Sequence, residues 1–154
     1  MTTAEIRAAI VATLQAISGM GVVHNYERYA KDDKAFRLLY AAGDRVQGWN
    51  VRRVARHESS PCLGRWLVTQ EWRIAGWRSL ADAEASELAF DDLIDAAMDA
   101  FRNDSTLGGV VETTVLGDGA DDPAGLQLIE SGPVMFCGVL CHGARLSLFT
   151  RHSL

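Results

Sequence analysis

Residues 79–101, SLADAEASELAFDDLIDAAMDAF, decide the fold, because they read as the chain's best helix. Ala83, Phe90, Ile94, Ala97 and Phe101 fall on one side of a helical wheel, at the spacing that buries a face against a sheet. Ser79 offers an N-cap, and Asp82 three residues later suits the positive end of the helix dipole. On another side Glu87, Asp91, Asp95 and Asp99 stand four apart with no lysine between them. Each successive like-charged pair costs about 0.2–0.5 kcal/mol, so the stripe is expected to serve something outside the helix.

Working back from that helix, residues 65–75 alternate. Trp66, Val68, Trp72 and Ile74 are set against Thr69, Glu71 and Arg73, which predicts a strand with one face buried and one wet. Residues 45–56 form a second strand candidate, and HESSPCLG at 57–64 reads as the loop of an antiparallel hairpin. Further upstream, Thr2 and Glu5 make a capping box, and Ile6, Ile10, Leu14 and Ile17 repeat with helical spacing until Ser18-Gly19 stops them. Between these elements VVHNYERYAKDDKAFRLLY, 22–40, begins extended and finishes as a short helix through Ala35, Leu38 and Leu39.

Downstream of the long helix, residues 109–116 are a third strand candidate. GDGADDPAG at 117–125 reads as a mobile loop, and 126–131 as a short fourth strand. In the closing VMFCGVLCHGARLSLFT, 134–150, Leu140, Ala144, Leu146 and Leu148 share one parity. The order predicts a single α+β domain over residues 1–154: one mixed or mainly antiparallel sheet of about four strands flanked by two main helices.

A chain of 154 residues buries about two thirds of its unfolded surface without disulfides or metal. No apolar run approaches the roughly 20 residues of a membrane span, so a soluble protein without an export signal is expected. Cys62, Cys137 and Cys141 are too few for a disulfide framework and fit a reducing cytoplasm. The net charge of −5 hides a division. Residues 1–78 hold twelve Lys/Arg against seven Asp/Glu, and residues 79–154 hold three against thirteen. Such asymmetry suits nucleic-acid binding through the basic half, contact between the acidic surface of one copy and the basic surface of the next, or simply a solvated surface.

The candidate chemistry is thin. Asp91, Asp92 and Asp95 have the spacing that holds magnesium against a diphosphate, but no second acidic cluster accompanies them, and they read as an exposed face. Cys137, Cys141 and His142 resemble zinc ligands, yet four residues along a strand set the sulfurs roughly 13 Å apart, so packing is expected. His24 and His57 have no nearby partner that marks a catalytic base, and no glycine-rich phosphate loop is present. Arg45, Arg52, Arg53, Arg56 and His57 beside Trp49 could follow a phosphate backbone, with Arg52 and Arg53 on opposite faces. Because the molecule is anionic, protein contact is favoured over DNA.

The phrases VHNYERYAKD at 23–32, QGWNVRRVAR at 47–56, WRIAGW at 72–77 and CGVLCHGARL at 137–146, with the order of elements, carry a resemblance over most of the chain. It resembles the small tail-terminator (tail-completion) proteins of long-tailed bacteriophages and prophages. That resemblance implies an α+β subunit of a ring, typically a hexamer, on the head-proximal end of the tail tube. There the ring stops tube polymerisation and forms the head-joining surface. It implies no enzymatic step, metal or cofactor. The implied partners are copies of itself, the tube protein and a head-tail connector or neck protein, with DNA passing through unbound. The implied location is the virion, and the host cytoplasm during assembly.

On that reading Arg45, Arg52, Arg53 and Arg56 are candidates for one side of a subunit contact, and Glu87, Asp91, Asp95 and Asp99 for the other. If the acidic stripe instead lines the ring's opening, it repels DNA and eases its passage. Asp118, Asp121 and Asp122 in the 117–125 loop are candidate contacts with the tube or connector. A head-closure or other neck protein shares these features. A small-ligand-binding domain or enzyme would instead use Trp66, Trp72 and His142 around a sheet face.

Overall fold

The computed structural model describes residues 1–154. Its elements in chain order are α1 (Thr3–Gln15), β1 (Val22–His24), α2 (Asp33–Tyr40), β2 (Ala41–Ala42), β3 (Arg45–Cys62), β4 (Arg65–Ser79), a 3₁₀ turn (Asp82–Glu84), α3 (Ser86–Asn103), β5 (Gln127–Phe136) and β6 (Val139–Ser153). The fold is α+β, with six strands and three helices where about four and two were expected. The strand order is β1-β3-β4-β6-β5, with β2 pairing at the start of β3. Only β1 runs parallel to its neighbour, so the sheet is mixed.

Alternation along the three long strands sends one set of side chains to each face of the sheet. On one face Trp49, Val51, Trp72, Ile74, Ala144, Leu146 and Leu148 meet Ile6, Ile10 and Leu14 of α1 and Phe90, Ile94, Ala97 and Phe101 of α3. Trp49 fits because Gly76 opposite has no side chain, and its indole N–H donates to the Met20 carbonyl at 2.9 Å. On the other face α2 lays Phe36 and Tyr40 over Val46, Val139 and Cys141, at one end of the sheet only. The ring of Tyr40 occupies the space that Gly48 leaves free. Two helices therefore stand on one side and one on the other. No helix is long and apolar enough to cross a membrane.

Several expectations need correction. The Ser79 hydroxyl takes the Val46 N–H at 3.1 Å and ends β4, so it caps no helix. The helix starts at Ser86 after Ala85 in a left-handed conformation (φ 52°), and Ala83 is exposed in the preceding 3₁₀ turn. The predicted loop at 57–64 is mostly strand: β3 and β4 continue to Cys62↔Arg65, forming an exposed hairpin arm with Leu63 at its tip. Residues 109–116 form no strand. Gly108 and Gly109 take positive φ (70° and 84°), and only the isolated bridges Thr113↔Arg151 and Val115↔Ala124 follow. The fourth strand runs to Phe136, not 131, and turns into β6 through Cys137-Gly138, both at positive φ.

Within α2 the buried residues are Phe36 and Tyr40, while Leu38 points to solvent. Trp66 is half exposed at the base of the arm, and Leu140 likewise lies in the open. In the first helix Thr2 and Glu5 form the reciprocal capping box and Ile6, Ile10 and Leu14 are buried as expected, but the helix ends at Gln15, which leaves Ile17 beyond it and partly buried.

Candidate interaction surfaces

The four candidate arginines of β3 do not form one patch. Arg52 and Arg53 do point to opposite faces. Arg52 reaches Glu27 at 3.0 Å on the α2 side, and Arg53 donates to Thr3 Oγ1 at 3.1 Å beside the start of α1. Arg56 is held by Glu58 two residues on, and Arg45 sits at the far end of the strand beside Asp44. Three of the four therefore already have carboxylate partners within their own chain, Arg45 at the longest separation, 3.9 Å.

The acidic stripe is where the periodicity puts it. Glu87, Asp91, Asp95 and Asp99 are all exposed on α3, away from Phe90, Ile94, Ala97 and Phe101. Asp99 pairs with Arg102 one turn on; Glu87, Asp91 and Asp95 form no ion pair. In the 117–125 loop Asp122 turns back to accept the Gly119 N–H at 2.9 Å, leaving Asp118 and Asp121 exposed. The Val115↔Ala124 bridge and a Leu116 N–H donation to the Pro123 carbonyl close the neck of that loop.

No group of three or more His, Cys, Asp or Glu is placed to hold a metal ion. Cys141 packs under α2, where burial pushes its thiol up to about 11, so it stays protonated at neutral pH. His142, next in the strand, faces the other side. Its Nε2 lies 2.7 Å from Ser86 Oγ, which also accepts the Ala81 N–H at 2.9 Å. Ser86 is only 2% exposed, and the pair pins the start of α3 to β6. No ligand site gathers around Trp66, Trp72 and His142. Trp72 is fully buried opposite Leu148, and His142 lies six residues along β6 from that position, roughly 20 Å at about 3.3 Å per residue.

Two features escaped the sequence reading. Beyond α2 the open sheet face carries a groove of about 390 Å³, where Arg52, Arg73 and Arg145 cross above Ala75 and Gly143. Glu27 answers Arg52 and Glu130 answers Arg145, so the groove is nearly balanced in charge. The arginines come from three different strands, which only pairing reveals. The second feature is the outer surface of α2 and its approach, where Arg28, Lys31, Lys34 and Arg37 form no ion pair with any carboxylate. Their spacing of three is visible in the sequence, but that they surround an outward face follows only once Phe36 and Tyr40 are the buried residues of α2 and Leu38 is exposed.

No protein-family model matches the chain, and no curated protein matches it.

Proposed function

We propose that this protein is a structural assembly subunit of a long-tailed phage. Copies of it would form a ring on the head-proximal end of the tail tube, stop its polymerisation and present the surface that joins the head. One observation carries the reading: the charge division of the chain becomes a division between surfaces. The unpaired carboxylates of α3 stand on one side of the sheet, and the unpaired cations around α2 stand on the other. A subunit with complementary charge on opposite sides is suited to repeated head-to-tail contact, in which each copy meets one neighbour ahead and one behind. The resemblance of residues 23–32, 47–56, 72–77 and 137–146 to tail-terminator proteins supplies the setting. In that setting the subunit works by contact alone, with the tube protein and a head-tail connector as neighbours and DNA passing without specific binding. The outward Asp118 and Asp121 are the proposed contacts with one of those neighbours.

Deleting the gene from its phage is expected to yield tails of uneven length that fail to join heads, and adding purified protein to growing tubes is expected to restore uniform, joinable tails. Deletion particles with uniform tails attached to capsids would refute this function.

A further inference from the structure

We infer that the outer surface of α2 is the docking site for α3 of a second copy. The α2 surface is built for a protein partner of opposite sign. Lys34 and Leu38 are one helical turn apart, with Arg37 beside Leu38, and all three face solvent; Arg28 and Lys31 precede them. The nearby acids are partly committed. Asp32 caps the helix by accepting the Ala35 N–H at 2.8 Å, and Glu27 holds Arg52, so Asp32 and Asp33 stand against four cations. Apolar surface sits among those cations, with Leu38 76% and Tyr29 82% exposed.

The outer face of α3 has the complementary layout. Leu88 is 65% exposed, and Asp91, Asp92 and Asp95 follow it at i+3, i+4 and i+7, so one leucine is bordered by carboxylates on a single helical face. A leucine among cations and a leucine among carboxylates fit a contact with an apolar centre and a charged rim. Because α2 and α3 cover opposite faces of the sheet, one chain cannot close this contact on itself. The contact is heterologous: it makes a ring if the rotation between copies closes and a filament if it does not. A second copy is favoured over nucleic acid, since each copy brings the matching acidic helix and the net charge of −5 opposes a polyanion.

The inference deepens the assembly reading and rests on it, but the two fail separately. A contact that forms in solution while the phage builds normal tails without the protein would sink the function and leave the contact. Two charge-reversed chains test it, Lys34→Glu with Arg37→Glu, and Asp91→Lys with Asp95→Lys, all at exposed positions. Each alone is expected to lose self-association by about ten-fold or more while keeping the wild-type circular dichroism spectrum. Mixed in equal amounts they are expected to recover the wild-type oligomer mass by light scattering, because each contact then joins opposite charges again. The inference is overturned if either chain alone assembles like wild type, if the mixture stays monomeric, or if wild type itself is a monomer. Unchanged mass in the Asp91→Lys, Asp95→Lys chain would assign the stripe to the ring's opening. Unchanged mass with lost binding of a DNA duplex in the Lys34→Glu, Arg37→Glu chain would assign α2 to nucleic acid.

Discussion

Gly76 and Trp49 show how far single residues set this core. A Cβ on Gly76 would stand 2.1 Å from the Trp49 ring, which is held by its N–H bond to Met20 and stacks on Phe90 with centroids 5.6 Å apart. The ring has nowhere to go. Gly76→Ala is therefore expected to destabilise the fold by about 1–3 kcal/mol, read from the urea midpoint, whereas Gly43→Ala meets no atom within 4 Å and is opposed only by its positive φ of 69°. His152 gives a pH signature. Burial, and then Arg56, push its pKa below the usual value, so the unfolded chain takes up the proton more readily. Its contribution to stability is complete above about pH 6.5 and is lost as pH falls below that value through the lowered pKa of the folded state. The urea midpoint should fall between pH 7.5 and 5.5, and His152→Gln should flatten that slope. Glu112, whose carboxylate accepts the Ser153 N–H at 3.0 Å, has a lowered pKa and acts further down, below about pH 4.5.

At the scale of elements, the hairpin arm separates pairing from burial. Residues 57–66 are all exposed, so shortening the arm to a two-residue turn beyond Ser59↔Leu67 removes ladder hydrogen bonds but no core contact. The expected change in stability is within about 1 kcal/mol by thermal melting, and a larger loss would show that the arm packs against the body. The same separation explains what the sequence disclosed. Both long helices were legible because α1 and α3 bury one face each at regular spacing, and the Thr2–Glu5 box is a local exchange of hydrogen bonds. The arm was not, because residues bonded to a partner strand yet wet on both faces show no alternation. Residues 109–116 misled for the opposite reason: Val110, Val111, Thr113, Thr114 and Val115 have strand composition, but left-handed glycines turn the chain before a ladder can form. At α2, Leu39 packs at the edge of the cluster as its position suggests, but Leu38 faces solvent, and the fully buried residues are Phe36 and Tyr40.

At the scale of the molecule, the fold turns a sequence asymmetry into a spatial one. Twelve of the fifteen cationic residues precede Ser79, yet several are used internally: Arg52 and Arg56 in ion pairs, and Arg7 5.7 Å from the Trp72 ring centre. The acidic side of the candidate contact was legible from the period of α3 alone. The basic side was not, because only the folded chain shows which arginines are already satisfied and that α2 lies across the sheet from α3. A contact made by charged rims weakens with salt, since the screening length falls from about 10 Å at 0.1 M to about 3 Å at 1 M. The molar mass of the wild-type protein, followed by light scattering from about 0.05 M to 1 M salt, tests this most directly. The account predicts a discrete multiple of the 16.8 kDa chain at low salt that falls toward 16.8 kDa as salt rises. A mass of 16.8 kDa at every salt concentration would contradict it.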